Sequence, residues 1–115
     1  MKKLVRDKIP EFAKAANYRY LTHDEIEPAL KKKLVEETGE VVNATSETNL
    51  VEELGDVYEV LRAYLDFKGI DQEHFLKVVA QKRAEKGGFT EFIEMETKNL
   101  IERFPFRVFP RFGEL

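Results

Sequence analysis

Eight carboxylates lie between Leu34 and Leu61, and no lysine, arginine or histidine lies among them. They are Glu36, Glu37, Glu40, Glu47, Glu52, Glu53, Asp56 and Glu59. A glutamate pair on a helix is ordinarily a solvated face, and such a face usually carries lysine or arginine one turn away to offset repulsion. Within this stretch none is offered. Two unit charges ~4 Å apart repel by about 4 kcal/mol at an effective dielectric of ~20. Acids that converge there need a cation or protons. Hard oxygen donors without cysteine or a nearby histidine suit Mg²⁺, with Mn²⁺ as an alternative, better than Zn²⁺.

Whether the acids converge depends on the elements that carry them. Punctuation divides the chain into helices. Pro10 opens a short helix towards Asn17, since proline is tolerated in a first turn. Thr22-His23-Asp24-Glu25 has the spacing of a capping box and starts a second helix, about Asp24 to Ala44, with Pro28 near its first turn. The polar run Asn43 to Asn49 breaks it, and a third helix runs from Asn49 to Lys68, where Gly69 is the expected stop. Asp71 caps a fourth helix that Gly87-Gly88 ends. Residues 90–103 are a further helical candidate, and Pro105 and Pro110 forbid a helix through the end.

Apolar stripes agree with this division. They comprise Leu30, Leu34, Val41 and Ala44 on the second helix and Leu50, Leu54, Val57, Leu61, Tyr64 and Leu65 on the third, with a weaker stripe of Phe75, Val78, Val79 and Lys82 on the fourth. The fold class expected is all-α, an antiparallel four-helix bundle with a short irregular C-terminal tail. At roughly 100° per residue, Glu37 projects about 20° from Leu30 and Glu40 flanks the same sector, while Glu36 points further out. On the third helix, Glu53 lies about 60° from Leu50, with Asp56 on the same side and Glu52 and Glu59 facing solvent. A short loop makes the two helices antiparallel neighbours, so Glu37 and Glu40 are expected to face Glu53 and Asp56.

Composition narrows the class. The 115 residues suit one domain, and the chain carries a net charge of −3 and a pI near 5.5. Neither that balance nor any face of the sequence favours nucleic-acid binding. With no cysteine, a disulfide framework, a thiolate metal site and a cysteine nucleophile are excluded. No run reaches the ~18 apolar residues of a membrane span, and the basic N-terminus lacks the apolar segment of a signal peptide. A cytoplasmic protein without a membrane or nucleic-acid partner is expected. His23 and His74 are isolated, with no partner at i+3 or i+4.

The acidic pattern also resembles a known signature. EETGE (Glu36, Glu37, Glu40), followed after 12 residues by ELGD (Glu53, Asp56), is similar to the EExxE…ExxD motif of the all-α nucleoside triphosphate pyrophosphohydrolases. This MazG-like superfamily also includes dimeric dUTPases and phosphoribosyl-ATP pyrophosphohydrolase. KLVRDKIPEF (Lys3 to Phe12) resembles the N-terminal signature of a small-protein, house-cleaning branch. KRAEKGGF (Lys82 to Phe89) resembles its K…RGGF ending, with Lys86 in place of the usual arginine. The likeness covers about residues 3–93 and leaves a tail, residues 94–115, of unassigned role.

The resemblance implies a homodimeric or homotetrameric bundle in which Glu37, Glu40, Glu53 and Asp56 hold Mg²⁺ and Glu36 assists. It implies hydrolysis of a nucleoside triphosphate to the monophosphate and pyrophosphate. An acidic site can receive a polyanion only through metal ions, which bridge carboxylate and phosphate oxygens. Glu36 or Glu37 is the candidate for activating water, and Arg6, Lys8, Arg83 and Lys86 are the candidates for engaging phosphates. Phosphoribosyl-ATP pyrophosphohydrolase is the rival enzyme. A non-catalytic helical module with an acidic face for a basic partner is the rival of another class. In the tail, Phe104, Phe106, Phe109 and Phe112 alternate with Arg103, Arg107 and Arg111 and are expected to pack on the bundle or on a neighbouring subunit.

Overall fold

A computed structural model describes residues 2–97. Among them the chain is all-α, with four helices and no strand: α1 (Ile9–Phe12), α2 (His23–Val42), α3 (Glu47–Phe67) and α4 (Gln72–Lys86). Two compact units divide the chain, Met1–Ala80 and Gln81–Leu115. The described part of the second unit is the end of α4 followed by an irregular segment over 87–97. The helical expectation for residues 90–103 therefore fails over 90–97, and its remainder lies outside the described residues, as do the phenylalanines and arginines of the tail. No helix of the described residues is long and apolar enough to cross a membrane.

The helix ends follow local chemistry. α1 is a single turn and stops at Phe12, short of Asn17, because Ala13 leaves the helical region at φ −108°, ψ 74°. At the start of α2, the Glu25 carboxylate accepts from the Thr22 backbone N–H at 2.9 Å and from its hydroxyl at 3.0 Å. Arg19 closes the same carboxylate in a two-pronged ion pair at 2.9 and 2.8 Å. α2 continues through Pro28. The N–H that proline lacks would have reached the carbonyl of Asp24, an exposed residue open to water.

α3 begins earlier than the polar run suggests. Ser46 is its cap, and its hydroxyl accepts from the Asn49 N–H at 3.1 Å. Asn49 thus sits inside the first turn. At the other end Gly69 adopts φ +67°, a left-handed conformation that glycine takes without a Cβ penalty. The Ile70 N–H returns to the Leu65 carbonyl at 2.9 Å and the Gly69 N–H to Asp66 at 3.1 Å, the paired bonds of a Schellman stop.

Packing in the first unit is dominated by α2 against α3. The helices are antiparallel. The Tyr64 hydroxyl, near the end of α3, donates to Glu27, near the start of α2, at 2.6 Å, and Lys68 reaches the same carboxylate at 3.1 Å. Leu30, 4% exposed, and Val60, 9% exposed, form the apolar centre of this pair. Val60 is the residue that the apolar stripe misses. Leu50, Leu54 and Leu61, assigned to that stripe, are exposed, and so are Val51 and Tyr58.

Glu25 generates a pH expectation. Arg19, first, and then Thr22 hold its carboxyl at about 2, below the ordinary 4.5. The native state favours the ionised form, so the stabilisation is complete above pH 4.5 and is lost as the pH falls towards 2. In acid titrations followed by circular dichroism, Glu25→Gln should be less stable than the parent at pH 6, and the difference should shrink between pH 4.5 and 2.

Candidate metal centre

At the end of the α2–α3 pair remote from Glu27, the interface turns from apolar to acidic. Glu37, Glu53 and Asp56 each place a carboxylate oxygen so that the three lie within 4.8 Å of one another. Helical spacing produces this. Glu27, Leu30, Leu34 and Glu37 form one line down α2, and Tyr64, Val60, Asp56 and Glu53 form the facing line on α3, at the i+3 and i+4 steps that keep one face. The acids continue the core stripes, and Glu37 is 8% exposed.

Each acid has a partner that holds it. Lys33, one turn before Glu37, places its Nζ 3.1 Å from the Glu37 carboxylate and 3.4 Å from that of Glu36. Asn49 donates through its side-chain amide to Glu53 at 3.1 Å, while its own Oδ1 accepts from the Thr45 N–H at 3.1 Å. The cap of α3 therefore orients Glu53. Arg6 donates to Asp56 at 2.5 Å across 50 residues of sequence, and Lys3 lies 3.7 Å from Glu36. The hydrogen bond and charge of Asp56, with smaller contributions from Glu59 and Glu37, raise the Arg6 guanidinium above its ordinary value.

The expectation of an uncompensated acidic stretch is thus corrected. Its cations come from outside it, with Lys33 immediately before and Lys3 and Arg6 from the N-terminal segment. Glu36 is half-buried between Lys3 and Lys33, whereas Glu40 is exposed and outside the converging group. The angular reading had these two the other way round. Glu52 and Glu59 face solvent as expected. Lys8 is exposed at the start of α1. Arg83 and Lys86 lie in the last turn of α4, within the second unit.

Lys33, Asn49 and Lys3 carry site geometry that the functional candidates left out. The first two had a signal in the sequence, because Lys33–Glu37 and Asn49–Glu53 are i, i+4 pairs. Lys3 lay within the N-terminal match without a role. A recess lined by His23, Glu27, Lys31, Phe67 and Lys68 lies at the opposite end of the helix pair from the carboxylates.

The donor set fits a hard divalent cation. Three carboxylate oxygens suit Mg²⁺ or Mn²⁺ chemically. The three carboxylate oxygens lie within 4.8 Å of one another, so they would have to draw closer to hold one small cation together. Three protein ligands leave the other positions to water or phosphate oxygens. The chain matches no family model, no curated protein and no solved structure.

Lys33 is the internal counter-ion of a buried carboxylate, with side chains only 15% and 11% exposed in the pair. Removing such a partner leaves an uncompensated charge. Lys33→Ala should therefore cost about 1–3 kcal/mol in urea denaturation. Lys31→Ala, which loses a 4.0 Å contact from a side chain 67% exposed, should cost no more than about 0.5 kcal/mol.

Proposed function

We propose that this chain is a Mg²⁺-dependent hydrolase that cleaves a nucleoside triphosphate between its α- and β-phosphates, releasing the monophosphate and pyrophosphate. The observation that carries the reading is the convergence of Glu37, Glu53 and Asp56 on the facing lines of α2 and α3. The likeness of EETGE…ELGD to the all-α pyrophosphohydrolases supports it from the sequence.

In this reading Glu37, Glu53 and Asp56 would hold the cation, which would supply positive charge for the phosphates and for the departing pyrophosphate. Asn49 and the α3 cap fix the Glu53 carboxylate before substrate arrives, so less ordering remains for the reaction to supply. Glu36, half-buried and outside the converging group, is the candidate for accepting a proton from water. Lys3 and Lys33 lie against it at 3.7 and 3.4 Å. Arg6 is the cation nearest the group able to turn to a phosphate. Glu40, named by the motif, would have to reach in from an exposed position.

The test is release of pyrophosphate from a panel of nucleotides with Mg²⁺. Glu53→Gln and Asp56→Asn should lower kcat at least about 100-fold with helical circular dichroism unchanged. Such a loss corresponds to about 2.7 kcal/mol. Glu59→Gln should stay within about threefold of the parent, because it loses a 3.7 Å surface contact to Arg62 and a minor charge effect on Arg6. Orthophosphate as the product would overturn the cleavage position. Absence of turnover and of Mg²⁺ binding would favour a helical interaction module.

A cytoplasmic homodimer completes the proposal. Val51, Leu54, Tyr58 and Leu61 lie at 3-4-3 spacing along α3 and are all exposed, a seam suited to a partner helix. Light scattering should give a mass near twice 13.4 kDa, and Leu54→Glu should return it to the monomer value.

A further inference from the structure

We propose that Arg6 exchanges partners, pairing with Asp56 while the carboxylate group is free of cation and with a phosphate once a cation has taken Asp56. The inference rests on the metal reading above and adds to it a coupling between metal and polyphosphate. Three observations lead to it.

Arg6 and a metal ion compete for the same carboxylate. Asp56 belongs to the converging group, and the Arg6 guanidinium already donates to its Oδ1 at 2.5 Å. A cation at about 2.1 Å from either oxygen would stand roughly 4–6 Å from that guanidinium, and the two positive charges repel. Occupation by one therefore weakens the other.

Among the described residues, the Arg6 side chain has no hydrogen-bond partner besides Asp56, and its backbone is held through its carbonyl, which accepts from the Ile9 N–H at 3.0 Å. The Arg6 side chain is 59% exposed, that of Asp56 is 36% exposed, and the N-terminal segment before α1 has no helical hydrogen bonds to break. An exposed ion pair of this kind changes an equilibrium by only about two- to fivefold, so the switch is easily driven. By contrast, Lys33 is largely buried beside Glu37 and stays where it is.

The released group suits what a metal would bring. A guanidinium presents a planar fork of donors that matches two phosphate oxygens. A triphosphate recruited by the cation would place its oxygens beside the position Arg6 has just left. The arginine that opposes metal alone then favours metal together with polyphosphate. By linkage, the two ligands promote each other's binding through this side chain.

The experiment uses Mn²⁺ and inorganic tripolyphosphate, which needs no knowledge of the base. Mn²⁺ binding to the protein is followed by electron paramagnetic resonance. Tripolyphosphate binding to the Mn²⁺-saturated protein is followed by calorimetry. The proteins are the parent, Arg6→Gln, and Lys14→Gln, which removes the same charge from an exposed position nearby. Arg6→Gln should bind Mn²⁺ about two- to fivefold more tightly and tripolyphosphate at least about fivefold more weakly. Lys14→Gln should change neither by more than about twofold. Unchanged or weaker Mn²⁺ binding by Arg6→Gln, retained tripolyphosphate affinity, or the same pair of changes in Lys14→Gln would overturn the exchange and leave the metal reading intact. A parent protein that binds no Mn²⁺ would overturn the metal reading and the exchange together.

Discussion

A carboxylate buried between two helices is the constraint on which the rest of the arrangement depends. Glu37 occupies a core position of α2, where an apolar residue would give simple stability. Burying a charge is tolerated only when it is paired and hydrogen-bonded. Lys33 meets that need from the preceding turn. The chain then adds Glu53 and Asp56 opposite, which raises the local negative charge again, and brings Arg6 from the N-terminal segment to face Asp56. Residues 2–12 supply no buried core residue, although Leu4, Val5 and Ile9 are half-buried, and Lys3 and Arg6 tie the segment to this charge balance.

The α2–α3 interface has three zones in one antiparallel register. Glu27 with Tyr64 and Lys68 forms a polar tie at one end. Leu30 and Val60 supply the apolar middle, and the carboxylates take the other end. The tie keeps Glu27 below the usual carboxylate range, chiefly through the Tyr64 hydroxyl and then Lys68. The same bond raises the phenol. Directional bonds at one end fix the register that brings the acids at the other end opposite one another.

Much of this was legible in the sequence. The 3.6-residue periodicity, the Thr22–Glu25 box and the Gly69 stop identify α2 and α3, and the angular positions of Glu37, Glu53 and Asp56 place them inward. What the sequence concealed is mostly non-local. Arg6 meets Asp56 across 50 positions, and no pattern within one helix announces such a pair. Glu36 and Glu40 were misordered because a helical wheel measures angle from a chosen apolar residue, whereas burial depends on where the neighbouring chain runs. The N-terminal segment brings Lys3 over Glu36, on the side the wheel assigned to solvent. The start of α3 was misplaced because Ser46 and Asn49 are both capping types, and only the hydrogen bonds separate them.

The polar tie at Glu27 also has a mechanical meaning. Ten residues of α2 separate Glu27 from Glu37, about 15 Å at 1.5 Å per residue. The pair therefore acts as a clothes-peg, with its spring at the tyrosine end and its jaws at the carboxylates. A rotation of about 2° at the spring changes the jaw gap by roughly half an ångström over that arm, with no helix unwound and no register lost. Such flexing alters the spacing of Glu37, Glu53 and Asp56, while the tie preserves which residues face which.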